Sequence, residues 1–245
     1  MKPLLVVHGG PGLDHSYLKD VLDPLSSLRD IHYYDQLGCG DLPELSNTFT
    51  FDSLVKQFER EYSSLSSLQA PDVLAHSWGA LIIYAALSQN IINSAGKIIL
   101  VSPVGLTIER FEQSGDRLVS RIPSSVMSKI ELEPDGVKQM RLLSKYYLSP
   151  ASQNAVIKFG SYRPLTYDST VEAISKYDYR GLGSLLSSEI FLMYGEDDIV
   201  LPSETAEIHS ISTVSVIEKS GHFPFHERPK AALRLTEDWL SNLSK

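Results

Sequence analysis

Cysteine is almost absent from this 245-residue chain. The single thiol, Cys39, excludes an internal disulfide, and with no second cysteine nearby the common zinc-binding spacings are excluded too. Positive charge is short: 22 Lys and Arg face 30 Asp and Glu, a net charge of −8, which argues against a nucleic-acid partner because phosphate backbones are held by clustered cations. Long apolar runs are missing as well. The longest, Ala80 to Leu87, falls far short of the ~20 residues that span a bilayer, and the first residues lack the charged, apolar and small-residue regions of a signal peptide. The histidines stand singly and suggest no metal cluster. These absences lead to the expectation of a soluble, cytoplasmic protein that uses no metal or organic cofactor and has neither nucleic acid nor membrane as a partner.

What is present is an ordinary globular composition, 42% apolar, enough for a core in one large domain or a domain with an insertion. Leu4-Leu5-Val6-Val7 reads as a buried strand that ends in the glycine loop His8-Gly9-Gly10-Pro11-Gly12. A helix over Ser16 to Leu28, broken at Pro24, precedes a second strand, Ile31 to Asp35, and its loop Gly38-Cys39-Gly40. From Phe51, the positions Leu54, Val55, Phe58, Tyr62, Leu65 and Leu68 form a helical stripe, with Thr50 or Asp52 placed to cap it. A strand over Asp72 to Ala75, a helix over Trp78 to Ser88 and a strand over Lys97 to Ser102 continue the alternation, which implies an α/β fold on a parallel sheet.

The alternation stops at Val104. As far as about Ser187 the segments are helix-like or irregular, such as Val137 to Leu148 and Thr170 to Tyr177, with interruptions at Pro134, Pro150 and Pro164. Strands over Ile190 to Tyr194 and Val214 to Glu218 then resume the pattern. An amphipathic helix carrying Ala232, Leu235, Trp239, Leu240 and Leu243 completes it. The organisation is therefore a core over 1–103, an insertion over 104–187 and a second part of the core over 188–245.

The chemistry centres on Leu74-Ala75-His76-Ser77-Trp78-Gly79-Ala80, where an apolar run ends, one serine follows and small residues open a helix. This is the pattern of a nucleophile elbow, G-x-S-x-G, with Ala75 in place of the first glycine. A serine nucleophile needs a base and an acid to orient it, which in such sheets follow in the order Asp, then His. Asp198, after the strand ending at Tyr194, and His222, after the strand ending at Glu218, stand in that order and at strand ends on the same sheet edge. The backbone N–H groups of Trp78 and Gly10 are the candidate oxyanion donors.

Taken together, His8-Gly9-Gly10-Pro11-Gly12, Tyr34-Asp35-Gln36-Leu37-Gly38-Cys39-Gly40 and His76-Ser77-Trp78-Gly79 resemble the proline iminopeptidase branch of the α/β-hydrolase superfamily. The resemblance covers Pro3 to Ser102 and Ile190 to Leu243, and it makes the insertion a helical cap. It implies Ser77 as nucleophile, His222 as base, Asp198 as acid, and Gly10 with Trp78 as the oxyanion hole. Family members usually carry two strands before the glycine loop, whereas only Met1-Lys2-Pro3 precede the first strand here, so six strands are expected, with Ile31 to Asp35 at an edge covered by a partner such as a second copy of the chain, by a helix or by nothing. In the family's aminopeptidases, acidic side chains hold the substrate amine, in some members one directly after the catalytic aspartate and others in the cap. Ile199 stands in that place, and the cap acids Glu109, Glu112, Glu131, Glu133, Asp168, Glu172 and Asp178 match no family cap motif.

Alternatives stand beside these readings. Asp197 is the rival of Asp198, and its bland role is a solvated turn carboxylate. His226 is the rival of His222, with a surface or capping role as the bland reading. His8 and His76 read as structural, Cys39 as an inert thiol, and Tyr146 and Tyr147 either line a pocket or pack the cap. The function that follows is hydrolysis of an ester, thioester or amide through an acyl-enzyme, on a small-molecule or short-peptide substrate. Release of N-terminal residues from peptides, acyl transfer, and binding without catalysis are the alternatives.

Overall fold

Alternate residues of the short apolar runs face opposite ways, and this builds the core in two layers. In the computed structural model, which describes residues 1–45, 49–66, 69–92, 96–174, 176–184 and 189–241, strand β1 (Pro3–Val7) sends Leu5 and Val7 into one apolar cluster and Leu4 and Val6 into the other. A strand that is apolar on both sides needs cover on both sides, which is the situation of a parallel sheet between helices. Strands β2 (Asp30–Tyr33), β3 (Asp72–His76), β4 (Ile98–Val101), β5 (Ile190–Gly195) and β6 (Ser212–Ile217) join β1 in a parallel sheet of six, ordered β2-β1-β3-β4-β5-β6. The expected strand number and the edge position of β2 are both found.

Helices α1 (Ser16–Leu22), α2 (Phe51–Leu65) and α3 (Gly79–Ser88) alternate with the first strands. Between β4 and β5 come α4 (Ile108–Arg121), α5 (Ser124–Leu132), α6 (Gly136–Ser144) and α7 (Pro164–Ala173), with no strand among the described residues of that stretch. Helices α8 (Pro224–Glu227) and α9 (Pro229–Ser241) follow β6. Leu54 and Phe58 of α2 and the whole of α3 cover one face, while Tyr17, Leu18 and Leu22 of α1 and Ala232 and Leu240 of α9 cover the other. Each fully buried leucine or phenylalanine contributes about 2 kcal/mol of transfer free energy. Helix α3 is buried from Gly79 to Leu87, which is why its sequence is apolar all round instead of striped.

The structure adjusts several boundaries for local reasons. The first helix stops at Leu22, and Asp23–Ser27 forms a 3-10 turn, because Pro24 offers no N–H to continue the α-helical ladder. Strand β2 ends at Tyr33, leaving Asp35 to accept from the backbone N–H of His15 at 3.0 Å. Pro164 starts α7 where an interruption was expected, since a proline is tolerated at the first helical position. Thr50 does take the N-cap position of α2, but its hydroxyl lies 3.0 Å from the Ser53 hydroxyl instead of bonding a helix amide. Leu68, Ser187 and Leu243 lie outside the described residues. No helix among the described residues is long and apolar enough to cross a membrane.

Candidate active site

Strand β3 is buried through His76, after which Ser77 turns into the left-handed region at φ 53° and α3 begins two residues later. The turn is tight because the start of α3 sits on the end of β1. A Cβ at Gly79 would lie 2.7 Å from the carbonyl oxygen of Val7 and 2.8 Å from that of His8, so only glycine fits after the nucleophile position. Ala75, by contrast, is fully buried within the core cluster, where its methyl group packs against apolar neighbours.

Three of the sequence-predicted residues meet here. His222 Nε2 lies 2.8 Å from Ser77 Oγ, and His222 Nδ1 lies 2.7 Å from Asp198 Oδ1. With an anionic Asp198, Nδ1–H donates to the carboxylate and Nε2 accepts from the serine hydroxyl, which is the tautomer a base at this position needs. All three are buried, at 9%, 3% and 3% exposure for Ser77, His222 and Asp198. Burial pushes the Asp198 carboxyl up, but His222, the Ser102 hydroxyl and the Val200 amide outweigh it and hold the pKa below its ordinary value.

The rivals are occupied elsewhere. Asp197 Oδ2 accepts from the Ser149 hydroxyl at 2.6 Å, so it is a bonded group and not a solvated turn carboxylate. His226 is half-buried with its ring stacked at 6.2 Å on Tyr17, and burial pushes its pKa down to about 4; this packing replaces the surface or capping role expected for it. Cys39 is buried and its thiol is pushed up to about 12 by that burial, which suits an inert role.

Sequence reasoning did not single out the groups that hold these loops together. Glu227 accepts from the backbone N–H groups of Ser149, Gly221 and Phe223 at 2.8, 2.8 and 3.0 Å, so one buried carboxylate clasps both sides of the His222 loop. The His222 amide donates to the Tyr147 carbonyl at 2.9 Å, and Arg121 of α4 donates to the carbonyls of Asp197 and Asp198. His76 does more than its local reading suggested. Its Nε2–H donates to the His222 carbonyl, and its Nδ1 accepts from the Tyr17 hydroxyl, which in turn accepts from the Gly9 amide. The glycine loop, the Ser77 turn and the His222 loop thus share one hydrogen-bonded chain.

Beside it runs a second chain. Trp78 Nε1–H donates to Gln36 Oε1 at 3.0 Å, Gln36 Nε2–H donates to the His8 carbonyl at 2.7 Å, and the Gln36 amide donates to His8 Nε2 at 3.0 Å. Gln36 lies in the Asp-Gln-Leu-Gly-Cys-Gly run, and that position was its only sequence signal. This chain fixes the loop that carries Gly10, whose φ of 131° suits glycine. Gly10 and Ser77 open together into the same cavity.

That cavity has two arms. The apolar arm, of about 230 Å³, is walled by Leu118 from α4 and Ile122 just after it, Met127 and Ile130 from α5, and Met140 and Leu143 from α6. The other arm is also lined by Gly10 and Ser77, and with them by Glu112 and Asp116 of α4. Of the cap acids named from sequence, Glu112 therefore faces the site and Asp178 is paired with Arg180, while Asp116 was not singled out. Tyr147 lines both arms with its ring 5.0 Å from that of His222, whereas Tyr146 borders a separate groove beside Arg121.

With this geometry in hand, comparison with known proteins places the chain. Residues 4–235 match the alpha/beta hydrolase family, and the chain belongs to it. The sequence is 25% identical over 267 aligned residues to a proline iminopeptidase of Heyndrickxia coagulans, covering 98% of this chain and 91% of the relative. Among solved structures it is similar to a thermophilic esterase from Thermogutta terrifontis, at TM-score 0.74 and 18% identity over 98% of this chain and 89% of the other. It is also similar to the proline iminopeptidase of Mycobacterium smegmatis, at TM-score 0.69 and 17% identity over 98% and 89%. The chain is a serine hydrolase of the alpha/beta hydrolase family.

Proposed function

We propose that this hydrolase cleaves a carboxylic ester, thioester or amide through an acyl-enzyme on Ser77. The observation that carries the reading is the unbroken run from Ser77 Oγ through the His222 imidazole to Asp198 Oδ1, buried at the meeting point of the two cavity arms. His222 takes the serine proton at Nε2 as Oγ attacks the acyl carbon, and the resulting oxyanion is met by the amides of Gly10 and Trp78. Collapse breaks the bond to the leaving group, which receives that proton from His222. Water then attacks the acyl carbon and gives a proton to His222, which passes it to Ser77 Oγ as the bond from Oγ to the acyl carbon breaks and the acid leaves. Asp198 keeps the imidazole in the required tautomer and balances its transient charge.

The apolar arm suits an apolar acyl or side-chain group of a small molecule or short peptide. A second reading, removal of N-terminal residues from peptides, is favoured by the Glu112 and Asp116 carboxylates in the other arm, which suit a free ammonium group. A cytoplasmic setting belongs to the same proposal and is supported by the lone, buried cysteine. The test is turnover of short-chain aryl esters against prolyl arylamides, with and without N-acetylation. Ester turnover indifferent to charge supports the first reading. Arylamide turnover abolished by N-acetylation and weakened by Glu112→Gln or Asp116→Asn supports the second. Absence of both activities from the folded protein contradicts hydrolysis at this site.

A further inference from the structure

Two serines stand side by side at the ends of neighbouring strands in the same unusual backbone conformation. Ser77 follows β3 at φ 53°, and Ser102 follows β4 at φ 48°. The two strands are paired in register up to His76 and Val101, so the serines are the next step of that ladder. The turn at Ser77 exposes a hydroxyl to His222. The turn at Ser102 is as strained, since a residue with a Cβ enters the left-handed region at a cost that glycine avoids, yet a serine stands there.

Ser102 is fully buried, and its amide donates to the Met193 carbonyl at 2.7 Å, which anchors it beside β5. Its hydroxyl has no hydrogen-bond partner of ordinary geometry. One carboxylate oxygen nearby is in the same state. Asp198 Oδ1 is engaged by His222 and by the Val200 amide, but Oδ2 is buried without a partner. Buried polar atoms of this kind are costly unless they are matched; here a donor and an acceptor are both left over, and the Ser102 hydroxyl is among the groups that act on the Asp198 carboxyl.

We infer that Ser102 is a positioning residue for Asp198: its hydroxyl donates to Oδ2, so that the carboxylate is held at both oxygens and Oδ1 stays aimed at His222 Nδ1. The inference rests on the reading of Ser77, His222 and Asp198 as the working triad. The Ser102 hydroxyl already helps hold the Asp198 carboxyl below its ordinary pKa. With the hydroxyl removed, Oδ2 loses its donor, the carboxylate is free to turn, and His222 Nδ1 loses a fixed partner.

The test compares Ser102→Gly, which removes the hydroxyl and relieves the left-handed strain, with Ser102→Ala, which removes the hydroxyl and keeps the strain. Both variants should lose kcat by about tenfold, the scale of one hydrogen bond to a charged group, with KM little changed. Ser102→Gly should melt no lower than the wild type while Ser102→Ala melts lower, which separates catalysis from stability. Wild-type kcat in Ser102→Gly would overturn the inference. Failure of the triad reading is seen separately, in a wild-type protein that a fluorophosphonate does not label at Ser77.

Discussion

The imidazole of His76 donates from Nε2 to the backbone carbonyl of His222 across 2.8 Å. The residue beside Ser77 thereby holds the loop of the residue whose Nε2 meets the Ser77 hydroxyl. Because Nδ1 of the same ring accepts from Tyr17, the ring is a neutral imidazole with both nitrogens committed.

That commitment has a pH signature. Burial, the main cause, pushes the His76 pKa down from 6.5 to about 3. Below pH 6.5 the unfolded chain takes up a proton that the folded chain refuses. Stability from this group is therefore lost as pH falls from 6.5 towards 3, at up to about 1.4 kcal/mol per pH unit. His226, pushed down to about 4, acts in the same direction. Thermal melts of wild type and His76→Gln between pH 7 and 4.5 should show a shallower slope in the variant. Parallel slopes would mean that His76 is not held neutral.

Gly79 and Ala75 flank the serine symmetrically in sequence and differ in space. Gly79→Ala would drive a methyl group into two backbone carbonyls, and we expect a loss of about 3 kcal/mol or failure to fold. Ala75→Gly, which restores the common motif, should cost only about 1 kcal/mol. Chemical denaturation of the two variants checks the contrast. Equal effects would contradict the close contact at Gly79.

Glu227→Gln should be more harmful than its conservative look suggests. The carboxylate offers both oxygens to three backbone donors, and an amide would turn an NH2 group towards at least one of them. Leaving a buried donor unmatched costs about 1–3 kcal/mol, and release of the His222 loop should lower kcat as well. Full activity with an unchanged melting temperature would show that other contacts hold the loop.

Much of this was legible in the sequence. The apolar runs gave the strands because a buried parallel strand must be apolar on both faces, and the order of Ser77, Asp198 and His222 survives as contact because each follows a parallel strand and so lands on one edge. What stayed hidden are bonds between distant segments. Glu227 reads as one more helix-start acid, Ser149 as a loop serine and Tyr17 as core, since their roles depend on partners that only folding brings near. The same holds for the forked cavity, whose walls come from three helices with no motif in common.

Asp198 and Asp197 are adjacent in sequence and face different partners, His222 and Ser149. Asp198→Asn should lower kcat by roughly 10³–10⁴, as loss of an orienting carboxylate does. Asp197→Asn keeps an oxygen for the Ser149 hydroxyl and should stay within about threefold of wild type, the scale of a change under 1 kcal/mol. Steady-state kinetics on the substrate found in the ester and arylamide panel decide this. The reverse ranking would move the acid to Asp197.

The most direct measurement is mass spectrometry of the protein after treatment with a fluorophosphonate, alone and beside Ser77→Ala. The account predicts one adduct on the wild type, mapped to the peptide containing Ser77, slowed in Asp198→Asn and absent from Ser77→Ala. An adduct on another residue, or none on folded wild-type protein, would contradict the assignment of Ser77 as the nucleophile.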